Sequence, residues 1–401
     1  MLSFELALAR LLAGAPALAE RCFLPTLEAV GRVLAEAQPS ALDAPPLDNS
    51  AMDGYAVAVA DVRSLPTRLP VAQRIPAGSV GSRLQPGTAA RIFTGAPIPD
   101  GADAVVMQEL CQMLGDEVVI DHLPQAGDHI RRAGSDIAAG SEILGAGQRL
   151  RPQDSALAAS VGIARLPVFR RLRVAVLFTG DELRMPGEPL PAGAIYNANR
   201  FLLTGLLEQL GCEVRDHGHV ADDLTATRQA LREAAQDNDL ILTSGGVSVG
   251  EEDHVRAAVE AEGRLEMWQI AIKPGKPLAF GCVAASGREV AFIGLPGNPV
   301  SSFVTFVMLV RPFLLKMQGA SRTAPASYFL RADFDWLRPD ARREFLRARS
   351  NGDGGVDLFP QQGSGVLTSA VWGDGLIDNP PQQPIRRGEM VCFVPFSELL
   401  A

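Results

Sequence analysis

Apolar residues recur at three- and four-residue spacing near the start of the chain, at Leu2, Leu6, Leu8 and Leu12 and again from Leu24 to Ala37. That period predicts helices over residues 1–38. From 39 to 137 the pattern changes. Short β-like runs at 55–59, 104–107 and 118–120 are punctuated by Pro and Gly, the texture of a small β-rich domain. Residues 138–166 read as helical again, around Ala156-Leu157-Ala158-Ala159 between Pro152 and Pro167, so 39–137 has the look of an insertion.

Residues 170–319 alternate strand and helix. The run 172–178 is continuously apolar, as a strand buried on both faces must be. Helices are predicted from about Asn199 to Leu210, from a cap at Asp222 or Asp223 to Ala235, from about Asp253, and from Pro299 to Lys316. Strands are predicted at 213–220, 240–243, 267–272, 278–282 and 290–294. This is a doubly wound α/β domain over 167–320. The Arg-, Gly- and Pro-rich remainder, 321–401, predicts a small β-barrel.

Composition narrows the class. With 47% hydrophobic and 21% charged residues, the chain can bury sizeable cores. The longest uninterrupted lipid-compatible stretch, 303–310, stops at Arg311, short of the roughly 20 residues of a membrane span. Glu5 stands where an export signal needs positive charge, so no membrane association is expected. Five cysteines, odd in number and never in C-x-x-C, point to a reducing cytoplasm without zinc or disulfides. A net charge of −9 without a basic stripe argues against nucleic acid. Of the 37 basic residues only Lys273, Lys276 and Lys316 are lysines, and two of these share the segment IKPGKP at 272–277. A compact ammonium clustered where arginine is otherwise universal points to a tight anion site.

The predicted strand ends converge on the same chemistry. They are followed by Thr179-Gly180-Asp181-Glu182, by Ala221-Asp222-Asp223, by the loop Ser244 to Gly250 with Gly245, Gly246 and Ser248, and by Gly294-Leu295-Pro296-Gly297-Asn298-Pro299. In open α/β sheets ligands bind beyond these carboxyl ends. Small residues opening a helix let N–H groups meet an oxyanion. Glu182, Asp222 and Asp253 would repel that anion unless a cation intervenes, which points to Mg²⁺. Asp222 or Asp223 can equally be a helix cap. In the β-rich unit, SAMDGYA at 50–56 carries an Asp-Gly that reads as a hairpin or bulge.

SAMDGYAV (50–57), FTGAPIPDGAD (93–103), IRRAGSDI (130–137), TGDEL (179–183), TSGGVSVGEEDHV (243–255), IKPGKPLAFG (272–281), GLPGNPVSS (294–302) and QGSGVLTS with WGDGLI (362–377) together resemble the molybdopterin molybdenumtransferase (MoeA) family, related to the gephyrin E domain. The resemblance spans essentially the whole chain. It implies an elongated helical domain built from 1–38 and 138–166, an inserted β-rich domain (39–137), a molybdopterin-binding α/β domain (167–320) and a C-terminal β-barrel (321–401). It further implies a homodimer whose cleft receives the inserted domain of the other subunit. The implied reaction inserts molybdate into adenylylated molybdopterin with release of AMP. Site positions carried over by motif are Asp53, Thr94, Asp136, Glu182, Asp222, Asp253, Lys273, Pro296, Pro299, Arg347 and Ser369. Near the last two the match is loose, with Arg349 or Thr368 as alternatives. Physics adds Lys276 and the glycine loops as anion ligands, and Glu182, Asp222 and Asp253 as metal ligands. Gln269 stands where many members have lysine. A molybdopterin adenylyltransferase and a non-catalytic scaffold are the competing readings, and a separate adenylyltransferase is a candidate docking partner.

Overall fold

The computed structural model describes residues 1–18, 20–246 and 254–400. The central α/β unit follows from its apolar runs. Its elements are β1 (Arg173–Thr179), α1 (Ala198–Gln209), β2 (Glu213–Val220), α2 (Leu224–Asp237), β3 (Leu240–Ser244), α3 (His254–Glu262), β4 (Gly263–Gln269), β5 (Pro277–Ala285) and β6 (Arg288–Leu295). A final helix, α4, runs from Pro299 to Met317 with one π-type turn at Phe306–Val310. The sheet order is β2-β1-β3-β6-β5-β4; the first four strands are parallel, β5 runs antiparallel to them and β4 antiparallel to β5. Both faces are covered, as a parallel sheet requires. Val174, Val176 and Phe178 of β1 pack with α1 and α4, while Ala175 and Leu177 pack with α2 and α3.

Helix starts obey local chemistry. Asp223, rather than Asp222, caps α2: its carboxylate accepts from the Ala226 N–H at 2.8 Å. Asn197 caps α1, accepting from the Arg200 N–H at 3.1 Å. α4 is long and apolar enough to match a membrane span, yet 94% of its apolar window is buried inside the protein. The short 303–310 stretch read from sequence is thus the centre of a longer core helix, and Arg311 is swallowed with it, only 7% exposed.

The flanks of the insertion differ from expectation. Residues 24–37 are not helical. Arg21–Pro25 form a strand paired with Arg165–Phe169, and a 3₁₀ turn at Thr26–Glu28 follows. Pro25 opens that turn and Gly31 sits at φ +80°, both incompatible with a continuous helix. In 138–166 only Pro152–Ser160 is helical. The first helix, Phe4–Ala13, is real, but it packs on the α/β core through Phe4, Ala7 and Leu11. It also touches the C-terminal unit: Phe4 meets Phe345 edge-on at 5.3 Å and Glu5 pairs with Arg343.

The insertion holds a six-stranded sheet. Gly54 opens one of its strands, Gly54–Val57, and the Asp53-Gly54 pair makes no hairpin. Glycine is required by close approach, since a Cβ there would lie 2.0 Å from the Val106 carbonyl oxygen. In the C-terminal unit five strands close into a barrel when Arg343–Ser350 pairs with both Gly355–Leu358 and Gly375–Asn379. The barrel is sewn to the α/β unit by a parallel pairing that sets Ile272 beside Arg343 and Lys273 beside Glu344.

Candidate active site

At the carboxyl ends of β1, β3 and β6, against the barrel, lies a cleft of about 790 Å³. Glu182, Ser244, Gly245, Gly246, Lys273, Lys276, Pro296, Gly297, Asn298 and Pro299 all line it. Ten positions from four separate loops therefore meet as their motifs predicted. Ser248, Gly250 and Asp253 lie outside the described residues.

The floor is built for an oxyanion. α4 begins at the cleft with Pro299 in its first turn, where the missing N–H costs nothing, and Asn298 gives no side-chain cap. The positive end of a long helix is thereby left facing the ligand space. Ser302 donates to the Pro296 carbonyl, and Ser244 Oγ donates to the same oxygen at 3.2 Å. Gly245 and Gly246 adopt φ +95° and +62°, a left-handed pair in which a Cβ on Gly245 would lie 2.8 Å from the Thr179 carbonyl.

The lysines are not equivalent. Lys273 Nζ stands 3.3 Å from Glu344 Oε1 and 3.4 Å from Asp340 Oδ2. Glu344 is fully buried, and its other oxygen accepts from Trp336 Nε1 at 2.8 Å and Asn379 Nδ2 at 3.4 Å. Asp340 is gripped in a bidentate pair by Arg342, both contacts 2.9 Å. The side-chain hydrogen bond from Arg342, helped by its N–H and by Lys273, holds the Asp340 carboxyl well below the usual range. Both lysines expected to hold an anion line the cleft, and Lys273 is also paired with the barrel carboxylates. Lys276 has no ion-pair partner among the described residues and keeps its charge for the cleft. Arg342 also lines the wall, with its guanidinium paired to Asp340.

Arg347 and Ser369 sit behind that wall. Arg347 is fully buried; Nε donates to Ser369 Oγ at 3.1 Å, Nη1 to the Phe345 carbonyl at 3.1 Å and Nη2 to the Gly363 carbonyl at 3.3 Å. Burial lowers its pKa to about 10, so it remains charged at neutral pH. Its backbone N–H and C=O also bind the Gln362 carboxamide. The pair thereby shapes the Gln362–Ser364 loop, which lines the cleft.

Asp53, Thr94 and Asp136 lie in the insertion and do not line this cleft within one chain. Asp53 accepts from the Thr94 N–H and hydroxyl, both at 2.8 Å. Those bonds, the N–H first, together with the nearby Arg91 charge, keep its carboxyl below its ordinary pKa. Asp222 also does not line the cleft; its N–H approaches Asp181 Oδ1 at 3.4 Å. Among the described residues no group of three or more carboxylate, imidazole or thiol side chains could hold a metal. Asp253 of the expected Glu182–Asp222–Asp253 set lies outside the described residues, and among those described Glu182 is the carboxylate that lines the cleft. A hard cation that takes one carboxylate and completes its shell with ligand phosphate oxygens still fits that donor set.

Sequence reasoning missed Asn199, Arg342, Glu344 and the Gln362–Ser364 loop. Arg342 and Glu344 stand in Arg342-Arg343-Glu344, which carries no local signature in so arginine-rich a chain. Asn199 follows Tyr196-Asn197-Ala198, where the capping rule draws attention to Asn197.

An open α/β sheet with glycine loops and an uncapped helix start at its switch point, walled by a barrel, defines a doubly wound α/β protein with a cleft suited to an anionic ligand. The chain matches the MoeA N-terminal region (domain I and II) over residues 2–162, a probable molybdopterin-binding domain over 175–316 and the MoeA C-terminal region (domain IV) over 330–396. It is 40% identical to the molybdopterin molybdenumtransferase of Haemophilus influenzae over 408 aligned positions, covering 100% of both chains. It is 38% identical to molybdopterin molybdenumtransferase 2 of Mycobacterium tuberculosis, covering 89% of this chain and 90% of that one. The crystal structure of the molybdopterin biosynthesis MoeA protein of Pyrococcus horikoshii superimposes with a TM-score of 0.85 at 31% identity, covering 98% and 100%. The chain belongs to the molybdopterin molybdenumtransferase (MoeA) family, enzymes of molybdenum cofactor biosynthesis.

Proposed function

We propose that this chain, acting in the cytoplasm, transfers molybdenum from molybdate to adenylylated molybdopterin and releases AMP. The observation that carries the reading is the meeting of Glu182, both glycine loops, Lys276 and Arg342 in one cleft. The loops Ser244–Gly246 and Pro296–Pro299, with the α4 N-terminus, receive the phosphate of the pterin. Lys276 draws in molybdate, and Arg342, paired with Asp340, shapes the wall beside it. Lys273, anchored on Glu344, fixes the Pro274–Pro277 turn that carries Lys276. Glu182 and the phosphates would hold Mg²⁺, which supplies charge neutralisation at the anhydride. Water attacks the pyrophosphate link to free AMP and leave the pterin phosphate, and molybdate gives up one oxygen as water, with the two thiol protons, as the dithiolene sulfurs take the metal.

Asp53 and Thr94 act on this cleft from a second copy, so the working unit is a homodimer. Asp53, held ionised by Thr94, would complete the acidic side of the site. An adenylyltransferase supplies the substrate. Incubating the purified protein with adenylylated molybdopterin, Mg²⁺ and molybdate should release AMP in proportion to molybdate added. Consumption of ATP with free molybdopterin, and no molybdate-dependent AMP, would refute the proposal in favour of an adenylyltransferase.

A further inference from the structure

Asn199 lies in the first turn of α1, on the wall of the cleft. Its carboxamide nitrogen donates to Ser244 Oγ at 2.8 Å and to the Gly297 carbonyl at 2.7 Å. One side chain thereby ties the end of β3 to the loop after β6, the two loops that form the oxyanion floor. Ser244 Oγ in turn donates a hydrogen bond to the Pro296 carbonyl, so the linkage reaches the residue before Gly297. The amide cannot be turned over, because its oxygen would then face the Gly297 carbonyl. In this orientation Asn199 Oδ1 is buried and finds no partner among the described residues. Asn238 Oδ1, away from the cleft, is likewise unpaired, so what marks Asn199 is the linkage between the two loops and its place on the cleft wall. Two hydroxyls near the same loops are likewise unpaired, Thr243 Oγ1 beside Ser244 and Thr305 Oγ1 beneath Gly275.

We propose that Asn199 is a positioning residue that sets the spacing of the two glycine loops, and with it the affinity for the phosphate end of the pterin, while leaving molybdate binding alone. This rests on the reading that those loops take the pterin phosphate. Neither donor bond reaches Lys276 or Arg342, so the cationic wall is untouched by the loss of the amide.

The test uses the full chain with Asn199→Ala, Ser244→Ala and the double variant. Affinity for molybdopterin is measured by equilibrium dialysis, and KM, kcat and half-saturation by molybdate from AMP release. Asn199→Ala should weaken molybdopterin binding and raise the KM of its adenylylated form at least about tenfold. Half-saturation by molybdate should stay within about twofold. The double variant should bind no more than about twofold worse than Asn199→Ala, because both changes break one link. Unchanged molybdopterin affinity in Asn199→Ala overturns the proposal, as does an equal loss of molybdate affinity. If Asn199→Ala does not fold, Ser244→Ala decides: at least about threefold weaker binding supports the link and unchanged binding overturns it. A wild-type protein that fails to bind molybdopterin refutes the reading of the cleft itself, an outcome distinct from any difference between variants.

Discussion

Replacing Lys273 by methionine keeps the length of the stem and removes its charge. Glu344 then loses the cation 3.3 Å away while remaining fully buried. Breaking a buried pair from one side costs about 3–5 kcal/mol. Lys273, however, keeps 36% of its side-chain surface in water, which screens the interaction, and Trp336 still donates to Glu344 at 2.8 Å. The expected loss is therefore about 2 kcal/mol. For a unit of this size that lowers the melting point by about 4–8 °C. Calorimetry at pH 7 would follow the transition of the α/β unit and barrel. Adding Glu344→Gln removes the stranded charge and keeps an acceptor for the Trp336 indole, so the double variant should recover to within about 1 kcal/mol of wild type. A Lys273→Met protein as stable as wild type would refute the account, as would a double variant no better than the single. Activity should fall in both, since the anchor of the Lys276 turn is lost in both.

Asp53→Ala and Glu182→Ala should each keep the fold and lower turnover at least about tenfold, equivalent to about 1.4 kcal/mol of barrier; wild-type rates of AMP release would remove them from the catalytic set. Thr94→Val deletes the hydroxyl donor to Asp53 but keeps the N–H bond. The depressed carboxyl pKa should rise toward its ordinary value, moving the acid limb of the kcat/KM profile to higher pH; an unmoved limb would exclude Asp53 as the group titrating there. Gly54→Ala forces a methyl against the Val106 carbonyl, which a real Cβ would meet at 2.0 Å. The inserted sheet should melt in a separate, earlier transition in differential scanning calorimetry, whereas a single unshifted transition would show that the strand can move aside.

Much of the α/β unit was legible because a strand buried on both faces must be apolar throughout. Residues 172–178 and 240–244 have few other ways to exist, and the loops after them are dictated by the topology. The cleft was legible for the same reason: strand ends are determined locally, and the loops leaving those ends form the site. The flanking segments were misread because Leu24–Ala37 carries a helical period that Pro25 and Gly31 interrupt, and pairing with Arg165–Phe169, distant in sequence, decides the outcome. The unequal roles of Lys273 and Lys276 were invisible, since they depend on Glu344 and Asp340 arriving from the barrel. Asp53 and Thr94 form a pair that spacing alone did not disclose.

The opening helix, wedged between sheet and barrel with Phe4 on Phe345, carries a temporal cost. Its first turns leave the ribosome early, yet the surfaces that hold them come later, the sheet and its last helix first and the barrel after them. Until those surfaces are made, an amphipathic segment must wait without its binding groove, exposed to chaperones or to mispairing with another nascent molecule. Maturation of this protein should therefore be sensitive to anything that delays its carboxyl-terminal third.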